Sequence, residues 1–194
     1  MKSNKKGFTL VELLAVIVVL AVILVIAIPN VLSIIDKSRK DSTVSTGKMM
    51  VKAAQLAIAQ GQTADGTTIA VPTAANTAII IKLNKLGLDN VTKDADGGTY
   101  TNDSTYVLVA YINNTLKYYV TIDGSKRDIN GVLFEDLDAA AIVGTAITAP
   151  TTLPTATTYA YEGGNLKLAN PTTGVLYTAG GGFIALTIPA GGVY

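Results

Sequence analysis

The sequence predicts an α+β fold: a long, kinked N-terminal helix with a transmembrane hydrophobic half, and an antiparallel β-sheet head packed on the helix's C-terminal half. Three observations predict it. A continuous apolar run fills Leu13 to Pro29, and Glu12 is the only charged residue between Phe8 and Ile35. Apolar residues then recur at helical spacing through Val44, Met50 or Val51, Ala54 and Ile58. Further on, two β-rich runs, Tyr106 to Ile112 and Leu116 to Ile122, are separated by the turn-forming Asn113, Asn114 and Thr115.

Composition narrows the chemistry before any element is placed. The 194 residues carry 15 Lys+Arg against 14 Asp+Glu and contain no His, Cys or Trp. Without His or Cys there is no Ser-His-Asp triad, no Cys nucleophile, and no zinc site of the usual nitrogen and sulfur ligands. No acid/base pair can be placed in one site, so the chain reads as a non-enzyme with no cofactor and no metal. A net charge of +1 with 15% charged residues lacks the Lys/Arg surface that displaces counterions, and no nucleic-acid partner is expected. A mean hydropathy of +0.41 points to a segment in lipid. The lack of cysteine leaves the redox compartment open.

The first element follows Lys2, Lys5 and Lys6. As a helix, Phe8 to Ile35 would span ~40 Å, enough for a hydrocarbon core of roughly 30 Å. The leading lysines favour a cytoplasmic N-terminus, although Lys37, Arg39 and Lys40 beyond the segment weaken that asymmetry. A cleaved secretory signal fits poorly, because its apolar core runs to about 7–15 residues and ends at a small-residue site. A plain anchor leaves Glu12 unexplained, since a carboxylate at mid-membrane depth costs up to ~2.5–3.5 kcal/mol. Glu12 therefore calls for a partner. Pro29 removes a helical hydrogen bond and crowds the turn before it, so a kink or local melting is expected over Ile26 to Asn30.

Past Pro29 the chain stays helix-compatible as far as Gly61. The stripe from Val44 to Ile58 is the face for a sheet, with Asp36, Lys37, Arg39, Lys40, Lys48 and Lys52 on the other surface. Gly47 weakens the middle by roughly 1 kcal/mol relative to Ala, which suggests a second soft point. Residues 61–77 are rich in Gly, Thr and Ala, contain Pro72, and read as a linker within the head. From Ala78 to Leu86 the helical spacing of Ile80, Leu83 and Leu86, with Gly87 as a C-cap, predicts a short helix. The hairpin comes next, then a polar turn over 123–130 and a third strand from Gly131 to Phe134, completing a meander at about 105–135. The tail from Ala139 to Tyr194 has only Glu162 and Lys167 as charges and suggests further short strands joined by glycine turns.

The stretch KKGFTLVE, Lys5 to Glu12, resembles the processing site of the type IV pilin superfamily. It has a short basic leader ending in Gly7, then Phe8, and Glu12 five residues into the new chain. Pro29 adds to the resemblance, which covers approximately Gly7 to Arg39. The resemblance divides the chain into a leader over 1–7, an apolar assembly half-helix over 8–35, an amphipathic half-helix over 36–61 and a head over 62–194. It implies that a prepilin peptidase cuts between Gly7 and Phe8 and that the freed Phe8 amine is N-methylated. It further implies that Glu12 of one subunit faces the Phe8 amine of a neighbour and sets the assembly register. The implied partners are copies of the chain itself, a motor ATPase and a membrane platform protein. The implied life history runs from a single-pass plasma-membrane precursor to a surface filament for adhesion, motility or biofilm formation. A pseudopilin of a type II secretion or DNA-uptake machine shares these features, and a solitary membrane-anchored binding module is the alternative from another class.

Other features tempt less. Asp89, Asp94, Asp96 and Asp103 invite calcium, but the residue eleven after Asp94 is Thr105, so the EF-hand pattern is not met. Asp123, Asp128, Asn130, Glu135, Asp136 and Asp138 read as turn formers and solvated charges. Sequons begin at Asn90, Asn102 and Asn113, to which no modification is assigned. LPTAT at Leu153 to Thr157 resembles a sortase signal but lacks the final Gly. Many type IV pilins carry a C-terminal disulfide loop; this chain has no cysteine to make one, which leaves open how its tail is pinned.

Overall fold

Helix α1 (Leu10–Gln60) links the two units into which the chain divides, Met1–Ser38 and Arg39–Tyr194. The structure is a computed structural model that describes residues 9–102, 104–143, 159–161, 165–167, 173–177, 183–189 and 191–194. In the first unit the apolar side chains of α1 are exposed: Leu10, Ile17, Leu24 and Ile34 are all more than half exposed. Among the described residues, α1 is the one helix long and apolar enough to cross a membrane. The backbone remains helical through Pro29 without local melting, and the Asn30 side-chain amide donates to the Ile26 carbonyl at 3.1 Å.

In the second unit the remainder of α1 lies on a seven-stranded sheet. Its strands are β1 (Thr77–Lys82), β2 (Tyr106–Ile112), β3 (Thr115–Ile122), β4 (Asp128–Leu133), β5 (Ile142–Val143), β8 (Thr173–Tyr177) and β9 (Phe183–Thr187). Two further strands, β6 (Tyr159–Tyr161) and β7 (Asn165–Lys167), form a separate antiparallel pair. The spatial order is β5-β4-β3-β2-β1-β9-β8, antiparallel throughout except where β1 runs parallel to β9. Val44, Met50, Val51, Ala54 and Ala57 of α1 are buried against a sheet face that carries Ile79, Ile81, Val107, Val109, Val120 and Ile122. Ile58 is only half-buried at the margin of this core, and Ala57 takes the deeper place.

Three expectations change. The first is the short helix over Ala78 to Leu86, which is strand β1 followed by a single 3-10 turn, Leu83–Lys85. The helical spacing misleads because β1 is central and buried on both faces, Ile79 and Ile81 toward α1 and Ala78 and Ile80 toward the opposite face. A strand with two apolar sides has no alternation to read, and consecutive β-branched isoleucines suit the pleat.

The second is the start of the third strand, which begins at Asp128 and not at Gly131. Polar residues conceal it. Asp128 and Asn130 are buried, and a bulge opposite Thr121 gives Gly131 a φ of +59°, with its N–H donating to the Thr121 hydroxyl at 3.1 Å. The third is Gly47, which is a close-approach residue instead of a soft point in the helix. A Cβ there would sit 3.0 Å from Leu137 Cδ2 and 3.3 Å from Val120 Cγ1, so its missing side chain lets α1 settle onto β3.

The hairpin turns through Asn113 and Asn114 with φ of 50° and 61°, the two left-handed residues of a type I′ turn. Thr115 pairs with Ile112 and so belongs to β3. The tail is pinned by main-chain hydrogen bonds. Thr187 pairs with Thr77, and past a turn the chain continues beside β1, where Ile80 N–H donates to Gly192 at 2.8 Å and Lys82 N–H to Tyr194 at 2.7 Å. The Tyr194 hydroxyl accepts from Ala70 N–H at 3.0 Å, tying the linker down as well. The LPTAT string lies outside the described residues, as does Asp103.

Gly47→Val is expected to destabilise the chain by about 1–3 kcal/mol through overpacking at β3, read as a lower thermal midpoint. Ser45→Val, on the exposed side of the same helix, is expected to shift it far less.

Candidate functional site

The N-terminal end of α1 is built from a local hydrogen-bond exchange. Thr9 precedes the helix, and its N–H and hydroxyl donate to Glu12 Oε2 at 2.8 and 2.9 Å. In return the Glu12 N–H donates to the Thr9 hydroxyl at 3.3 Å. This is a capping box, with Thr9 at the N-cap and Glu12 three residues on. Leu13 N–H closes the first helical turn on the Thr9 carbonyl at 3.2 Å. The negative carboxylate also sits at the end of the helix where its dipole is favourable.

Reading Glu12 as a carboxylate in search of a partner missed this local one, although Thr-x-x-Glu ahead of an apolar run was visible in the sequence. The capping box does not exhaust the side chain. Both bonds fall on Oε2, and Oε1 has no partner among the described residues, while a carboxylate accepts up to about four hydrogen bonds. Gly7 and Phe8, the expected processing site, lie outside the described residues. Pro29 stands within α1, seventeen positions after Glu12, on an exposed stretch.

Of the acidic residues considered for calcium, Asp94 and Asp96 are committed elsewhere. Asp94 Oδ1 accepts the N–H groups of Asp96 at 2.9 Å and Gly98 at 2.8 Å, and its Oδ2 accepts from Ser125 N–H at 2.6 Å. Burial pushes the Asp94 pKa up, but hydrogen bonds from Ser125, Gly98 and Asp96 outweigh it and hold the group below the ordinary carboxylate range. Asp96, its side chain 2% exposed, bridges Arg39 of α1 at 3.0 Å and Arg127 of the turn before β4. Asp89 stands apart on a cavity wall.

In the second run, Asp128 accepts from Gly124 N–H at 2.9 Å, Glu135 pairs with Lys117 at 3.0 Å, and Asp138 caps a 3-10 turn through Ala140 and Ala141. Among the described residues no three carboxylates form a group able to hold a metal ion. The sequon asparagines Asn90, Asn102 and Asn113 are all exposed.

Two outcomes follow for the acidic loop. Because the folded-state pKa of Asp94 is depressed, its stabilisation is present above the unfolded value near ~3.9 and is lost as pH falls through the folded value. Asp94→Asn is therefore expected to lower the thermal midpoint at pH 7 and to lose less between pH 5 and pH 2 than the parent does. Adding a calcium chelator is expected to leave the midpoint of the parent unchanged, and a clear drop would contradict the assignment of these carboxylates to backbone and arginine.

A family model described as the prokaryotic N-terminal methylation motif matches residues 2–28. No curated protein and no solved structure matches the chain. The matched span contains Thr9, Glu12 and the exposed apolar turns that follow them, and ends at Ile28, one residue before Pro29. The chain thus carries, over these residues, the N-terminal signal found in type IV prepilins and pseudopilins.

Proposed function

We propose that the chain is the structural subunit of a type IV pilus, released from its leader and polymerised into a surface filament. The observation that carries this reading is an exposed apolar half-helix, opened by a carboxylate, whose first turns lie within a methylation motif. A prepilin peptidase cuts after Gly7 and removes residues 1–7. The new Phe8 amine keeps its positive charge when methylated, and it emerges next to the Thr9 cap. Glu12 then serves twice, holding the helix start through Oε2 and receiving a neighbouring subunit's Phe8 amine on Oε1. In a low-dielectric bundle such a pair is strong, but desolvation consumes much of the gain, so its work is to fix register more than to add stability.

The driving force for the polymer is packing. In the plasma membrane the turns from Leu10 to Ile35 are solvated by lipid tails, and in the filament the same side chains meet other copies. A motor ATPase and a platform protein supply the work of extraction. Pro29, with no N–H to donate, is where the shaft yields to a curved bundle. Addition is head-to-tail and gives an open helical polymer.

The test is the yield of sheared filaments from cells carrying Glu12→Ala or Glu12→Gln. Both substitutions are expected to cut the yield by an order of magnitude or more while the membrane pool of the subunit persists. Full yield from Glu12→Gln would overturn the charge-pair role. Full yield from Glu12→Ala would overturn the assembly reading altogether and leave a solitary anchored module.

A further inference from the structure

The segment between β1 and β2 folds around a cavity of about 330 Å3 that assembly through α1 leaves unused. Its apolar surface comes from Leu83 of the 3-10 turn and Tyr100, both buried, and from the half-buried Leu88 and Val91. The Tyr100 side chain is buried in the core that α1 helps to form. The loop is also shaped by its own backbone, with Leu86 N–H donating to Leu83 at 3.1 Å and Val91 N–H to Leu88 at 2.8 Å. The cavity is therefore preformed.

Its polar wall is made by Asn84, Asp89, Thr92, Thr99 and Asn102, all exposed. Among the described residues none of these five side chains is engaged in a hydrogen bond or ion pair, in contrast to Asp94 and Asp96 a few residues away. The set is informative: two carboxamides, two hydroxyls and one carboxylate, with no Lys or Arg in the lining. A phosphate or carboxylate ligand would find no cation and would meet Asp89. A divalent cation would find a single carboxylate where several oxygen ligands are required. A wholly apolar ligand would strip water from five polar groups and return nothing. What suits the set is a neutral ring with hydroxyls around its edge, which exchange donors and acceptors with amides, and a C–H face to lie on the apolar side of the cavity.

We propose that this cavity binds a neutral pyranose unit, as a free saccharide or the end of a surface glycan. The volume is at the lower end of the ~300–1,000 Å3 range of ligand cavities, which suits one or two sugar rings. Asn84 and Asn102 grip ring hydroxyls, and Asp89 accepts from a hydroxyl while rejecting acidic sugars. The site is independent of Glu12 and of the polymer.

The experiment uses the full chain in a zwitterionic detergent with no sugar headgroup. Saturation-transfer NMR and a titration are run with the methyl glycosides of glucose, galactose, mannose and N-acetylglucosamine, and with glucuronic acid and glucose 6-phosphate as charged counterparts. At least one neutral glycoside is expected to bind saturably, with the charged counterparts about tenfold weaker or more. The Asn84→Ala/Asn102→Ala double variant is expected to lose about tenfold in affinity at an unchanged thermal midpoint. Should that variant unfold, Thr92→Ala takes its place, with a smaller loss expected. Asp89→Asn is expected to narrow the gap between glucuronic acid and glucose. Absence of saturable binding by all four neutral glycosides overturns the proposal, as does binding that folded cavity variants leave unchanged. Equal binding of charged and neutral sugars overturns it too.

Discussion

A helix whose first half lies exposed along its apolar side chains is the constraint from which the rest follows. From Leu10 to Ile35 the large hydrophobic residues are exposed, and water is not a tolerable solvent for so long a run. Lipid would cover them in a membrane-anchored precursor, and other copies would in the proposed filament. The two are energetically close, since hydrocarbon tails are about as apolar as leucine, and movement from one to the other therefore depends on packing and a few polar contacts. In the proposed assembly Glu12 would supply such a contact, because one oxygen secures the helix start and the other has no partner among the described residues.

The head solves a different problem, which is to hold together without a cysteine. Two apolar layers do most of it: α1 on one face of the sheet, and on the other a cluster that includes Leu108, Tyr119, Leu186 and Ile188. The tail is held by main-chain pairing to β1, a central strand that receives neighbours on both edges. Charge then fastens the loop before β2. Asp96 is buried between two arginines, and that geometry stabilises only because both partners are present, for an unpaired carboxylate there would be costly. Asp94 organises the adjacent turn through the N–H groups of Asp96 and Gly98.

Most of this architecture was legible where one physical signal dominated. The apolar run, the stripe ending near Gly61, and the Asn113-Asn114 hairpin each have a period or turn chemistry that nothing nearby contradicts. The reading failed where burial was two-sided or polar. Ala78 to Leu86 is apolar on every side, so a helix and a central strand look alike in it. Asp128 and Asn130 are polar yet buried at a bulge, and a pattern that equates polar with turn passes over them. Gly47 was read through intrinsic propensity, whereas its role is a distance to Leu137 and Val120 that only the fold reveals. At the N-terminus the functional signal was legible but the local one was missed: Thr9 and Glu12 form a capping box, and the carboxylate has a structural duty beside the assembly role proposed for it.

The central claim is that the exposed apolar half-helix is a processed assembly surface. It is tested most directly by the intact mass and N-terminal sequence of the protein sheared from the cell surface. The account predicts a chain that begins at an N-methylated Phe8 and lacks residues 1–7. A chain that retains its leader and stays with the membrane would contradict it.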